Sequence, residues 1–222
     1  LLAEFFCANC HTPFHNRFPL DDNGLCALCA GGMRGFDRAY SFGFYEGTLR
    51  SLIHLFKYSG MKPLSARLAG LLIRALPLDT PYDAVVPMPL YWRRKWKRGF
   101  NQAEMLGRHV AEQRGIPLLD AVRRVRATAT QAGLTSSNRR KNVAGAFRVK
   151  RRFKDDARIR GKRILLIDDV MTTGATAAAC ASTLKRAGAA SVTLLTLART
   201  DRRYSAPEFT SKSTAASGDS SR

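Results

Sequence analysis

The stretch Ile164-Leu165-Leu166-Ile167-Asp168-Asp169-Val170-Met171-Thr172-Thr173-Gly174-Ala175-Thr176 holds the densest chemistry in the chain. Four apolar residues read as a buried parallel strand. Two adjacent carboxylates follow at its expected carboxyl end, the place where open α/β sheets bind ligands. A hydroxyl-rich turn then opens a helix. Backbone N–H groups at a helix start attract phosphate, and the helix dipole adds to that attraction. The threonine hydroxyls add donors, and Gly174 allows close backbone approach. The turn therefore suits a phosphate, and the carboxylates suit sugar hydroxyls beside it. Neither G-x-G-x-x-G nor G-x-x-x-x-G-K-[ST] occurs, which disfavours dinucleotide and P-loop readings.

The cysteines form a second constellation. Cys7-x-x-Cys10 and Cys26-x-x-Cys29 are separated by fifteen residues, the spacing of a structural zinc site. Two thiolates on one tight knuckle take adjacent corners of a tetrahedron, and the second knuckle supplies the others. Two disulfides are the alternative, and His11 or His15 could replace a cysteine. Four thiolates already close the site, so its metal would be structural. Thiolate ligation also implies a reducing compartment, hence the cytoplasm. Cys180 stands alone in a small-residue helix and reads as a packing residue.

The chain carries 37 Lys and Arg against 17 Asp and Glu, a net charge of +20, which predicts attraction to anions. Arg93, Arg94, Lys95, Lys97 and Arg98 are interleaved with Trp92 and Trp96 after Tyr91. Cations with aromatics suit a phosphate backbone with stacked bases, as in single-strand binding. Further basic runs cover Arg123, Arg124 and Arg126, then Arg139 to Lys141, then Arg148 to Arg163. In sequence, only Asp155 and Asp156 oppose the last run. Any one run could be a solvated face. Four together favour a polyanion partner, with Lys150 to Lys154 a good candidate for contacting it.

These groups need elements to hold them. Apolar spacing predicts a strand over 38–45, helices over 49–60 and 64–75, and a short strand at 84–86. Asn101 is placed to cap a helix running to Gly115. A helix over 175–187 and a strand over 192–197 complete an alternating pattern, which indicates a parallel α/β sheet. Residues 126–142 are polar and without periodicity, as in a functional or mobile loop. Three segments result: a zinc-ribbon-like module over 1–35, an α/β domain over 36–204, and a Ser/Thr/Ala-rich tail over 205–222 expected to be disordered. No apolar run reaches membrane-spanning length, so no membrane insertion is expected. The first residues do not read as a signal peptide, and the missing initiator Met suggests a trimmed start.

The 164–176 stretch resembles the phosphoribosyl pyrophosphate (PRPP) signature of type I phosphoribosyltransferases. Both CxxC pairs, Val86-Pro87-Met88-Pro89-Leu90, Arg98-Gly99-Phe100-Asn101-Gln102-Ala103, Gln131-x-x-Leu134, Arg139-x-x-Asn142-Val143 and the signature occur in the order of the ComF family. This bacterial competence-associated, phosphoribosyltransferase-like group includes GntX-type proteins, and the resemblance spans about residues 5 to 200. It implies a type I phosphoribosyltransferase-like parallel sheet flanked by helices, with the small four-cysteine zinc module as a hood. It implies that Thr172, Thr173, Gly174, Ala175 and Thr176 hold the 5-phosphate of PRPP. Asp168 and Asp169 would form the catalytic pair on the ribose hydroxyls, with Mg2+ nearby. Pro87, Met88 and Pro89 would line the pyrophosphate loop. Arg98, Asn101, Gln102, Gln131 and Arg139 would belong to loops that close over the site, and Lys57-Tyr58 would lie near it. Two readings follow: a transferase using PRPP, with its acceptor open, or a non-catalytic module binding single-stranded DNA. A competence helicase is the partner the family suggests.

Overall fold

The computed structural model describes residues 4–9, 13–14, 16–31, 35–77, 79–126 and 145–200. In chain order, the N-terminal module holds β1 (Phe5–Phe6), β2 (Pro13–Phe14) and α1 (Ala27–Ala30). Then come β3 (Arg38–Phe44), α2 (Gly47–Tyr58), α3 (Leu64–Arg74), β4 (Ala84–Pro87), α4 (Trp92–Arg98) and α5 (Gln102–Arg114). The chain ends its described part with β5 (Val122–Arg124), β6 (Phe147–Val149), β7 (Arg163–Met171), α6 (Ala175–Arg186) and β8 (Ser191–Arg199).

Four strands form one parallel sheet in the order β3-β8-β7-β4. Successive strand side chains point to opposite faces, so a strand buried on both faces must be apolar throughout. On β7, Ile164 and Leu166 pack in the layer that holds Cys180, Ala181 and Leu184 of α6. Leu165 and Ile167 pack in the other layer, with Ile53 and Phe56 of α2, Leu68 and Leu72 of α3, and Leu106 and Val110 of α5. All these side chains are buried.

The strand holding the acids runs further than its sequence suggests. β7 does not stop at Ile167; it continues through Asp168 and Asp169 to Met171. β8 keeps pairing with it, up to Met171 opposite Arg199. β4 leaves at Pro87, opposite Ile167. Acids are poor strand formers, so sequence alone reads them as a strand end. The neighbour's early departure opens a crevice along one edge of β7 at the acid pair.

Two other segments take form only in three dimensions. The basic run after Tyr91 is the helix α4. β5 and β6 pair antiparallel, Val122 opposite Val149, as a small separate ribbon. The loop residues Gln131 and Arg139 and the tail over 205–222 lie outside the described residues, as do Cys10, His11 and His15.

The N-terminal module buries Cys7, Phe14 and Cys26 in its own cluster. The Arg199 guanidinium at the end of β8 sits 3.8 Å over the Phe14 ring, which ties the module to the sheet. Gly35, in the connection, passes directly over α6. A Cβ there would lie 2.1 Å from the Ala178 carbonyl oxygen, so only glycine permits this crossing.

Candidate functional site

The crevice beside β7 is a cleft of about 270 Å³. Its floor is Asp168, Asp169 and Val170 of β7, and the turn from Met171 to Thr176 closes one end. Met88, Pro89 and Leu90, the chain leaving β4, form a wall. Four cations come from three elements: Lys57 of α2, Arg94 and Arg98 of α4, and Arg124 of β5.

The two acids have different surroundings. Asp169 accepts an ion pair from Lys57 Nζ at 2.9 Å, with both side chains 14% exposed. Asp168 Oδ1 accepts a hydrogen bond from the Asp169 N–H at 2.9 Å. Burial, and then the charge of Asp169, push the Asp168 carboxyl up to about 7, against the opposing pull of that N–H, Lys57 and Arg124. A desolvated carboxyl beside another carboxylate behaves this way. Near neutrality Asp168 is therefore poised between its two protonation states.

The turn is shaped for close approach. Gly174 has φ of +73° and is the N-cap residue of α6, with no side chain of its own to cap the helix. The first turn of α6 carries no acid that would repel an anion. Thr172 and Thr176 border the cleft, and the Ala175 N–H points toward Thr173 Oγ1 at 3.5 Å, a long contact.

The Arg98 to Gln102 segment divides into one cation and its supports. Arg98 Nη1 donates to Gln102 Oε1 at 3.1 Å, and its Nη2 donates to Tyr58 Oη at 3.3 Å. The guanidinium also lies 5.0 Å over the Tyr58 ring. Asn101 Oδ1 accepts from the Ala103 N–H, and its Nδ2 donates to the Met88 carbonyl, both at 3.1 Å. Met88 N–H in turn donates to the Ile167 carbonyl at 2.8 Å. Asn101 and Gln102 are buried and do not line the cleft. They fasten the 87–90 wall and aim Arg98.

Arg94 and Arg124 enter the cleft although sequence reasoning left them in general basic runs. Their signal is visible in hindsight: Arg94 and Arg98 are four apart, on one face of a helix. Nothing local marks Arg124.

The 148–163 run is less free than its sequence implies. Asp120 pairs with Lys150 and lies 3.9 Å from Arg152, while Asp83 pairs with Arg163 at 2.9 Å. Arg158 pairs with Asp156 at 2.6 Å and Arg160 with Asp155 at 3.3 Å. Two acids from distant segments thus join Asp155 and Asp156 in opposing this run. Lys150 is correspondingly a weaker candidate for contacting a polyanion than its sequence neighbourhood suggests.

In the N-terminal module the sulfur atoms of Cys7, Cys26 and Cys29 lie within 4.8 Å of one another. Tetrahedral zinc–thiolate geometry needs sulfurs about 3.8 Å apart. The Cys26 N–H donates to Cys7 Sγ at 3.3 Å, which favours a thiolate there. These three residues fit a thiophilic metal.

A parallel sheet with helices on both faces, an acid pair beyond a neighbouring strand's end and a hydroxyl-rich turn into a helix define a type I phosphoribosyltransferase-like domain. The phosphoribosyl transferase domain model matches residues 60–217. The DNA utilization protein YhgH of Salmonella typhimurium is 34% identical over 203 residues, covering 87% of this chain and 84% of that protein. The YhgH protein of Escherichia coli gives the same figures, 34% over 203 residues, 87% and 84%. Competence protein F of Haemophilus influenzae is 34% identical over 234 residues, covering 88% of this chain and 97% of that protein. The chain belongs to the ComF family of phosphoribosyltransferase-domain proteins. Among its described residues no helix is long and apolar enough to cross a membrane.

Proposed function

We propose that this protein binds PRPP with Mg2+ in the cleft and acts as a ComF-type phosphoribosyltransferase-like protein linked to DNA uptake. The observation that carries this reading is the crevice itself. β4 stops, β7 continues with Asp168 and Asp169, and four cations face them across a cleft that ends in the 172–176 turn. An anionic ligand with both phosphate groups and hydroxyls matches that order.

In this reading the N–H groups and hydroxyls of 172–176 take the 5-phosphate. Asp168 and Asp169 accept hydrogen bonds from the ribose hydroxyls. Pro87, Met88 and Pro89, with Arg94, Arg98 and Arg124, face the pyrophosphate. The carboxylate oxygens are hard donors and fit Mg2+, which would neutralise departing phosphate charge. Were transfer to occur, the acid pair would steady the positive ribose ring while the cleft cations hold the leaving pyrophosphate. Gln131 and Arg139 would approach from the 127–144 segment. Cys7, Cys10, Cys26 and Cys29 would hold a structural Zn2+, and such thiolate ligation suits the cytoplasm.

Calorimetric titration with PRPP and Mg2+ tests the site. The expected result is saturable binding that Asp168→Ala with Asp169→Ala abolishes. Absence of binding, or unchanged binding by that variant, overturns it. Pyrophosphate release with candidate acceptors then separates transfer from binding.

A second reading is a non-catalytic protein that binds single-stranded DNA on the same fold. It is favoured by the +20 charge and by relatives named for DNA utilization and competence. Gel shift with a single-stranded oligonucleotide should show affinity falling steeply with salt, because bound cations release counterions from the strand. No shift at low salt removes it.

A further inference from the structure

Helix α4 reads Trp92-Arg93-Arg94-Lys95-Trp96-Lys97-Arg98, with no acidic residue. Residues four apart lie on one face of a helix, and residues two apart lie nearly opposite. Arg94 and Arg98 share the face that lines the cleft. Trp92 and Trp96 share the other and are 60% and 86% exposed. Tyr91 extends this strip, its ring centroid 5.8 Å from that of Trp92. The Arg93 guanidinium lies 5.2 Å over the Trp92 ring.

Two exposed indoles side by side are unusual on a soluble surface and mark a contact site. The occupant must satisfy two demands at once. It must offer flat apolar faces for the indoles and negative charge for the cations. Among the described residues no carboxylate pairs with Arg93, Arg94 or Arg98. In the 148–163 run, by contrast, Asp83, Asp120, Asp155 and Asp156 each hold at least one cation. Arg93, Arg94 and Arg98 of α4 are held by no described carboxylate in this way. Unpaired bases supply flat faces, and their backbone supplies the negative charge. A duplex hides its base faces in its own stack and meets only the second demand.

We propose that the outer face of α4 is a stacking platform for single-stranded nucleic acid, with Trp92 and Trp96 each taking a base and Arg93 a neighbouring phosphate. The platform rests on the nucleic-acid reading above and needs nothing from the PRPP reading.

The chain has two tryptophans, and both are on this face, so its tryptophan emission, excited beyond the tyrosine band, reports on the platform alone. The full-length protein is titrated with a thymine oligomer. Emission should be quenched to saturation over the same range in which a labelled oligomer shows binding by anisotropy. Trp92→Ala with Trp96→Ala should weaken that binding about tenfold or more, and a duplex of the same length should bind about tenfold less well. Trp92→Phe with Trp96→Phe, which keeps flat faces, should restore most of the affinity; its circular dichroism, and that of the alanine variant, should match the wild type. Oligomer binding with unquenched emission leaves the nucleic-acid reading standing and overturns the platform. Equal affinity of the alanine variant does the same. An emission shift on anionic phospholipid vesicles with no response to the oligomer assigns the face to a membrane surface and also overturns it.

Discussion

Asp168 carries a proton balance that its neighbours set. Its carboxyl sits at about 7 because burial and Asp169 both resist its ionisation. A ligand that needs the ionised pair must drive off that proton. Affinity for Mg2+ with PRPP should therefore rise between pH 6 and pH 8, which calorimetry across that range would reveal as a pH-dependent Kd. The linkage also has a stability side. Raised above its unfolded value of 3.8, the group adds stability at low pH that is lost as pH rises through about 7. A cation in the cleft removes the cost of ionisation. Thermal stabilisation by Mg2+ with PRPP should thus be larger at pH 8 than at pH 6. Lys57 is the other residue to test. Lys57→Ala leaves Asp169 half-buried without its partner, which should cost about 1–3 kcal/mol and lower the melting temperature. It also removes a pull on Asp168, so the rise in ligand affinity should move to higher pH.

At the scale of elements, α5 and α4 act through the wall and the cations they place. Asn101 caps α5 and holds the Met88 carbonyl with the same side chain. Asn101→Ala should cost about 1–2 kcal/mol, read as a fall of several degrees in Tm. It should also weaken PRPP binding without changing any residue that lines the cleft. α4 presents cations to the cleft and indoles to the outside. A phosphorylated ligand against Arg94 and Arg98 brings negative charge to the inner face of the helix. Single-strand affinity should then fall a few-fold when Mg2+ and PRPP fill the cleft. That fall should fade at high ionic strength, where the charges are screened. Anisotropy titrations with and without the ligand, at two salt concentrations, measure it. The hydrophobic periodicity of α2, α3 and α5 was legible because each buries a single stripe. The helical state of 92–98 was not, because its period is carried by cations and indoles rather than by an apolar core face.

Over the whole molecule, the N-terminal module is joined to the sheet at two close approaches, Phe14 under Arg199 and Gly35 over α6. Gly35→Ala drives a methyl group into the backbone of α6, so it should destabilise the protein by about 1–3 kcal/mol or more. Its effect should be visible in Tm even with metal bound. Among its described residues the module buries only Cys7, Phe14 and Cys26, too small a cluster to hold itself without a staple. Chelation should release about one equivalent of zinc and open residues 4–31 to proteolysis, while the sheet retains its circular dichroism.

Some of this protein was determined by the sequence itself. The acid pair and the hydroxyl turn are contiguous, and the two cysteines of each CxxC pair are three positions apart in the chain. Local chain geometry alone brings those groups together, so their chemistry can be read in order. Tertiary structure decided the rest. Lys57, Arg94 and Arg124 meet the acid pair across long stretches of chain, and Asp83 and Asp120 pair with a run of cations far from them. The cleft exists because β4 ends at Pro87 while β7 goes on to Met171, a difference between strands that neither strand encodes alone. Which cations serve the cleft and which are held by acids depends largely on packing between distant segments, and residue spacing records only local pairs such as Arg94 with Arg98 on one helix face.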